Sequence, residues 1–194
     1  MSHPIEYEML AKIHYDELLK EAAQNRLARL ARLRVPLGFV CGVITLALAR
    51  PTPASLVAGG LVAATGEALR YWAAGHLEKG REVTKSGPYR WSAHPLYVGS
   101  AVIGLGVAIA SASAAVFALA AVYLLVALTA AIRTEEAALT AKFGDEYVAY
   151  QKGQAIDASR RFSAGRAARN REPRAVAGLA VGLLLLALRM FLRV

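Results

Sequence analysis

Long apolar stretches separated by short basic segments are the feature that most constrains this chain. Five such stretches cover approximately residues 35–49, 54–74, 95–112, 114–132 and 175–192. A helix needs about 20 apolar residues to cross the core of a bilayer. A soluble protein of this size would instead interleave its charges at helical or strand spacing. We therefore predict an all-α, polytopic integral membrane protein with about five transmembrane helices.

The first 34 residues differ in character from the apolar stretches. Leucines recur there at three- and four-residue spacing, and basic residues gather towards the end, as in Arg26-Leu-Ala-Arg-Leu-Ala-Arg-Leu-Arg34. This pattern is typical of an amphipathic helix on a membrane surface, and a solvated cytoplasmic helix is the alternative. We divide the chain into this helix at 1–34 and a transmembrane domain at 35–194.

Lysine and arginine are distributed unevenly among the connecting segments. The N-terminal segment and the segments after the second and fourth stretches are rich in them, whereas the two short connections contain only Arg50. The positive-inside rule then places the N-terminus and both long polar segments in the cytoplasm, and we expect a bacterial inner membrane. Arg189 and Arg193 leave the placement of the last helix open.

Charge and cysteine usage narrow the classes of partner. The net charge of +9 is explained by anionic lipid head groups and by topology, so no nucleic-acid partner is predicted. Cys41 is the single cysteine, and the four histidines are scattered along the sequence. No spacing typical of a metal site occurs, and we predict no metal.

A first group of reactive side chains precedes the third apolar stretch, in the segment 86–99 with the sequence Ser-Gly-Pro-Tyr-Arg-Trp-Ser-Ala-His-Pro-Leu-Tyr-Val-Gly. Pro95 suits the first turn of a helix, where its missing N–H costs nothing. His94 then lies at the helix start, where backbone N–H groups favour anions. With Tyr97 and Arg90 nearby, a carboxylate or ribose site is predicted. An interfacial belt of the aromatic residues is the alternative.

A second group follows the fourth stretch. It contains Glu135 and Glu136, and the segment 143–150 then reads Phe-Gly-Asp-Glu-Tyr-Val-Ala-Tyr. Adjacent carboxylates at the end of a membrane span are costly unless a positive group meets them, and a solvated helix is the alternative. Gly144 is predicted to end the fourth helix, which would place Tyr147 and Tyr150 one turn apart on the next one.

The second stretch contains a pair of charges, Glu67 and Arg70. Their spacing places them on one helix face. Charges at membrane depth are rare and mark functional sites, although a structural pair that joins helices is equally consistent with the pattern.

The two groups together resemble a known family. Gly-Pro-Tyr-Arg, His-Pro-x-Tyr-x-Gly, Glu-Glu-x-x-Leu and Phe-Gly-x-x-Tyr-x-x-Tyr follow in that order within about residues 67–150. This order resembles the isoprenylcysteine carboxyl methyltransferase family, whose relatives include phospholipid methyltransferases. The resemblance implies S-adenosylmethionine on the cytoplasmic side, S-adenosylhomocysteine as product, and a membrane lipid or prenylated substrate that enters between helices. It implies a cofactor site formed by Tyr89, His94, Pro95, Tyr97, Glu135, Glu136, Tyr147 and Tyr150.

Three residues are candidates for catalysis. Arg90 or Arg133 would orient an anionic acceptor such as a carboxylate, whereas an amine acceptor would need a carboxylate such as Glu67 to take its proton. The family usually has arginine immediately before His-Pro, and this chain has Ala93 there. Arg90 or Arg133 is the candidate substitute for that cation.

Two other functions fit parts of the pattern. One is an NADPH-dependent membrane reductase related to sterol reductases, which resemble the C-terminal motif region. The other is a non-catalytic membrane scaffold, in which Gly38-x-x-x-Gly42 and Gly178-x-x-x-Gly182 would pack helices together.

Overall fold

A computed structural model describes residues 4–154 and 159–192, and this part of the chain is entirely helical. A 3-10 helix at Gly87–Arg90 lies between the second and third α-helices. The α-helices are α1 (Pro4–Leu48), α2 (Pro53–Ala74), α3 (Pro95–Ser111), α4 (Ala114–Phe143), α5 (Asp145–Gln151), α6 (Ala164–Arg169) and α7 (Glu172–Phe191). The all-α prediction is confirmed for the described residues.

Two helices of the described chain, α4 and α7, are long and apolar enough to cross a membrane. Their most apolar windows are only 17% and 6% buried, respectively, whereas the core helix of a soluble protein would be mostly buried. The apolar part of α1, Val35–Leu48, and α3, Pro95–Ser111, are shorter. The predicted number of five spans stays a prediction.

The N-terminal helix and the first apolar stretch form one element. α1 runs from Pro4 to Leu48 without a break, and Pro36 lies inside it. A proline in a helix interior removes one backbone hydrogen bond, and the helix here continues through that position. No helix end therefore marks the predicted division at residue 34.

Close packing of α2 against α3 forms the centre of the bundle. A Cβ atom added at Gly106 would lie 2.4 Å from the backbone N of Ala63 and 2.6 Å from the carbonyl O of Gly59. One added at Gly99 would lie 2.7 Å from the carbonyl O of Gly66. The two backbones therefore touch directly, which only residues without a side chain permit.

The glycine pairs singled out from the sequence lie elsewhere. A Cβ atom added at Gly42, Gly178 or Gly182 would meet no atom within 4 Å, and one at Gly38 would meet the hydroxyl of Tyr123 at 2.8 Å. Within the described chain, these spaced pairs do not form the close helix contact.

The two ends of the bundle differ in chemistry. At one end, the backbone N–H of Arg50 donates to the carbonyl of Ser111 at 2.7 Å. Arg189 donates there to the carbonyls of Leu46 and Ala47, at 3.1 and 3.3 Å. The end of α7 thus lies beside the end of α1, which places the last helix along the bundle rather than across its surface.

The opposite end contains the long polar segments. α4 continues to Phe143 and ends at Gly144, whose φ of +50° suits glycine. α5 follows directly, as predicted. The C-terminal end of α2 and the starts of α3 and α7 meet at this end, so the chemically varied side chains are concentrated there.

Residues 159–171, here called the docking segment, pack on the end of α2. Arg166 donates from Nη1 to the carbonyl of Gly75 at 2.6 Å and pairs through Nε with Glu78 at 2.8 Å. Asn170 donates from Nδ2 to the carbonyls of Ala74 and Leu77, both at 2.9 Å. These donors satisfy carbonyls that the helix end leaves without partners.

Candidate active site

His94 and Glu136 join the two groups of reactive side chains that were identified in the sequence. His94 is the N-cap residue of α3, and its Nε2 lies 3.0 Å from Oε1 of Glu136 on α4. Because a carboxylate only accepts hydrogen bonds, His94 carries a proton on Nε2. In the neutral imidazole, Nδ1 is then an acceptor.

Neighbouring side chains hold this contact in place. Pro95 is buried in the first turn of α3, and the ring of Tyr97 lies 5.8 Å from that of His94. Gln151, the last residue of α5, donates to the same Glu136 oxygen at 3.4 Å. Glu136 therefore receives donors from two sides.

The two tyrosines of α5 pack beside this contact. Tyr150 donates its hydroxyl to the backbone carbonyl of Tyr89 at 2.7 Å, and the rings of Tyr147 and Tyr150 lie 6.1 Å apart. Burial raises the pKa of Tyr147 to about 12, with the Glu136 carboxylate adding to the effect. Burial, helped by Tyr147, also raises the pKa of Tyr150 to about 12. Both hydroxyls therefore stay protonated at neutral pH.

The hydroxyl of Tyr89 is buried, and it has no hydrogen-bond partner among the described residues. Burial raises the pKa of Tyr89 far above its usual value, and the carboxylates of Glu135 and Glu172 raise it further. A buried hydroxyl without a hydrogen-bond partner costs free energy. A ligand that forms a hydrogen bond with the Tyr89 hydroxyl would remove this cost.

Glu135 lies on the same side of the bundle as Glu136. It is partly buried, and the described chain offers it no hydrogen bond or ion pair. Its charge acts on both Tyr89 and Tyr147. By contrast, Arg90 and Arg133 are exposed, and neither forms an ion pair within residues 4–154 and 159–192. The roles predicted for the two arginines stay predictions.

A buried charge cluster lies next to the start of α3. Nε of Arg70 lies 2.7 Å from Oε1 of Glu172, and the two form an ion pair whose angles do not suit a hydrogen bond. The same Nε lies 3.8 Å from Oε2 of Glu67. Nη1 of Arg70 also donates to Oγ of Ser100 and, at 3.4 Å, to the carbonyl of Leu96. The predicted pair of Glu67 and Arg70 is thus part of a three-residue cluster.

Residues 62–146, which contain most of these side chains, match the family model for phospholipid methyltransferase. These residues, here called the phospholipid methyltransferase segment, are similar to that family. The family is one of integral membrane methyltransferases and includes proteins like isoprenylcysteine carboxyl methyltransferase, so the resemblance is confirmed. Methyltransferases of this family generally use S-adenosylmethionine. No curated protein and no solved structure gave a match.

The phospholipid methyltransferase segment covers slightly under half of the chain. It begins within α2, contains α3 and α4, and ends near the start of α5. His94, Tyr97 and Glu136 lie inside it, whereas Tyr150, the docking segment and α7 lie outside. The structure nevertheless brings these outside elements against the family segment.

Glu172 is the residue that the sequence interpretation missed. It is 3% exposed and is the first residue of α7, where it approaches Arg70. Its sequence signal was a single acidic residue before the last apolar stretch, in a segment otherwise rich in arginine. Nothing in the linear pattern connects it with a residue about 100 positions earlier.

Within the described residues, no three histidine, cysteine or acidic side chains are grouped so that they could hold a metal ion. The chemical resources of the site are therefore carboxylates, an imidazole and protonated phenols. These groups suit the binding of a cationic organic cofactor through hydrogen bonds and charge.

Proposed function

We propose that this chain is an integral membrane methyltransferase that transfers a methyl group from S-adenosylmethionine to a lipophilic acceptor. The observation that carries the proposal is the 3.0 Å contact between His94 and Glu136, which joins the His-Pro and Glu-Glu motifs in the phospholipid methyltransferase segment. The proposal includes about five spans, with the N-terminus and this site on the cytoplasmic side of a bacterial inner membrane.

The side chains present fit the cofactor. Glu135 is an unpaired, partly buried carboxylate, and with Glu136 it would meet the protonated amino group and the nearby sulfonium charge. The unpartnered hydroxyl of Tyr89 and Nδ1 of His94 would serve the polar groups of the nucleoside, next to Tyr97. Tyr147 and Tyr150 would hold the segment of Tyr89 in place.

S-adenosylmethionine supplies an electrophilic methyl group on sulfur, and the acceptor displaces that sulfur in line. Such a displacement needs alignment and exclusion of water, and it needs no covalent intermediate on the protein. The chain therefore has two tasks. His94, Glu135 and Glu136 orient the cofactor, and a base accepts the proton that an amine acceptor must lose before it attacks.

The charges favour a lipid amine over a carboxylate as the acceptor. Arg90 and Arg133 lie on the surface, and the partly buried Arg70 is already paired with Glu172. Glu67 is buried, and both of its carboxylate oxygens lack a hydrogen-bond partner in the described chain. A buried carboxylate without a hydrogen-bond partner suits the removal of a proton from an ammonium group, whereas it would repel an anionic, isoprenylcysteine-like acceptor.

A ligand screen followed by an activity assay tests the proposal. Purified protein in detergent is heated with S-adenosylhomocysteine, with NADPH or with neither, and the unfolding temperature is measured. We expect stabilisation by S-adenosylhomocysteine alone, because ligands that bind the folded state raise this temperature. Labelled methyl transfer to phosphatidylethanolamine is expected to exceed transfer to a prenylcysteine. Stabilisation by NADPH alone would instead indicate the reductase, and co-purification with a partner but no response to either ligand would indicate the scaffold.

A further inference from the structure

Arg70 lies between two buried carboxylates that compete for it. Glu172 approaches its Nε at 2.7 Å, whereas Glu67 is at 3.8 Å from the same atom. The side chains of Glu67 and Glu172 are 9% and 4% exposed, respectively. One guanidinium therefore faces two carboxylates in a place that water barely reaches, and it satisfies mainly one of them.

The position of Glu172 in its helix explains which carboxylate is paired. Glu172 is the first residue of α7, followed by Pro173. The N-terminus of a helix stabilises negative charge, which favours Glu172 as the close partner of Arg70. Glu67 lies in the interior of α2 and lacks this support. It also has no hydrogen-bond partner for either oxygen in the described chain.

The docking segment fixes Glu172 at this place. Asn170, two residues earlier, donates to the carbonyls of Ala74 and Leu77 at the end of α2. Arg171 then adopts a left-handed conformation with φ of +63°, and α7 begins at the next residue. The chain thus turns sharply and presents Glu172 to Arg70 one turn before the end of α2.

We propose that Glu172 is a positioning residue that acts through Arg70. By holding the guanidinium, it keeps Arg70 from pairing closely with Glu67 and leaves the Glu67 carboxylate free to accept the proton of the acceptor. This inference rests on the proposed function and deepens it. It assigns a role to α7, which lies outside the phospholipid methyltransferase segment.

The test compares Glu172→Gln with the double variant Glu172→Gln/Arg70→Gln. In the single variant Arg70 turns to Glu67, so kcat should fall by about tenfold or more while KM for the lipid amine stays within about twofold. In the double variant no cation captures Glu67, and the amide introduced by Arg70→Gln keeps an N–H donor for Ser100. Most of the lost kcat should return. Glu82→Gln, which breaks the exposed pair with Arg160, is the matched control and should keep the activity of the unchanged chain.

Two results would overturn the inference. One is a Glu172→Gln variant with unchanged kcat, and the other is a double variant no more active than the single one, as a merely structural ion pair predicts. If Glu172→Gln does not fold, the double variant decides alone, since only the inference expects turnover from it. Calorimetric titration with S-adenosylhomocysteine distinguishes a failure of the proposed function from a failure of the role of Glu172. Absence of binding by the unchanged chain would contradict the proposed function, whereas normal binding with either of these results contradicts the role of Glu172.

Discussion

The hydroxyl of Tyr150 donates a hydrogen bond to the backbone carbonyl of Tyr89 at 2.7 Å. Tyr150 lies just beyond the matched family segment, and Tyr89 lies within it. The bond fixes the 3-10 helix Gly87–Arg90 against α5, so the buried Tyr89 hydroxyl is held in position from the backbone side. The order of the site therefore depends on a residue outside the phospholipid methyltransferase segment.

Replacement of Tyr150 by phenylalanine tests this dependence. The change removes one hydrogen bond and should cost about 1 kcal/mol of stability, with a lower unfolding temperature in detergent. Affinity for S-adenosylhomocysteine should fall as well, because Tyr89 is then held less firmly. Tyr15→Phe, at a residue that is 62% exposed, is the control. Equal unfolding temperatures for Tyr150→Phe and the unchanged chain would contradict this view.

Glu136→Ala should weaken binding of S-adenosylhomocysteine by about tenfold or more, since one carboxylate that meets the amino group is lost. Isothermal titration calorimetry measures the affinity directly. Glu146→Ala removes a more exposed carboxylate that pairs with Lys85 at 2.8 Å, and it should leave the affinity unchanged. The assignment of Glu136 fails if its alanine variant binds as tightly as the control.

Gly106→Ala should destabilise the chain strongly. The new Cβ would lie within 2.4 Å of the backbone of α2, and overpacking of this kind costs about 1–3 kcal/mol or more. Gly178→Ala adds the same atom where nothing lies within 4 Å, and the better helix propensity of alanine should make it neutral or slightly stabilising. Thermal unfolding of both variants in detergent checks the difference, and similar losses in both would refute the close backbone contact.

Stability should decrease on mild acidification through His76. Burial lowers the pKa of His76 below the ordinary value of 6.5, and the charges of Arg166 and Arg160 lower it further. Below about pH 6.5, His76 binds a proton in the unfolded chain, whereas in the folded chain it stays neutral until a lower pH. The stability that is present above about pH 6.5 is therefore lost as the pH falls. In His76→Asn, the unfolding temperature should depend less on pH between about pH 7 and pH 5 than it does in the unchanged chain. His14→Asn, at an exposed residue, should leave this pH dependence unchanged. If His76→Asn also leaves the slope of unfolding temperature against pH unchanged, His76 is not its cause.

Arg166→Met should release the docking segment from α2. It removes the donor to Gly75 and the pair with Glu78. Arg169→Met is a matched control, because Arg169 is 66% exposed and lies 3.7 Å from the same Glu78 oxygen. Limited proteolysis should cut the first variant between α5 and α7 faster than the second. Phe162 of the docking segment also packs its ring 5.8 Å from that of Tyr71 on α2. Equal cutting rates would mean that this packing and the hydrogen bonds of Asn170 suffice to hold the segment.

The sequence predicted the local features of this fold well, and the reasons are physical. Apolar length, Pro95 and Gly144 act within one or two helical turns, so the positions of α2, α3 and α4 could be foreseen. The family motifs placed His94 and Glu136 in one site, although their roles in binding remain predictions.

Contacts between distant segments could not be read in the same way. In the sequence, Gly59 and Gly106 look like any other glycines in alanine-rich helices. Only the packing of α2 against α3 shows that they allow a backbone contact. Glu172 and the docking segment depend on where the chain returns after α5, and no local pattern encodes that path. The continuity of α1 was not foreseen for another reason, since the change from polar to apolar residues near residue 34 suggested a boundary.

Under the proposed function, the direct backbone contact between α2 and α3 limits how a lipid acceptor reaches the site. Helices that touch through glycine cannot slide or separate by small steps without losing many contacts at once. We therefore expect α2 and α3 to move together as one unit. A lipid acceptor would then enter at another seam, where α4 or α7 meets this pair of helices through side chains that can change rotamer.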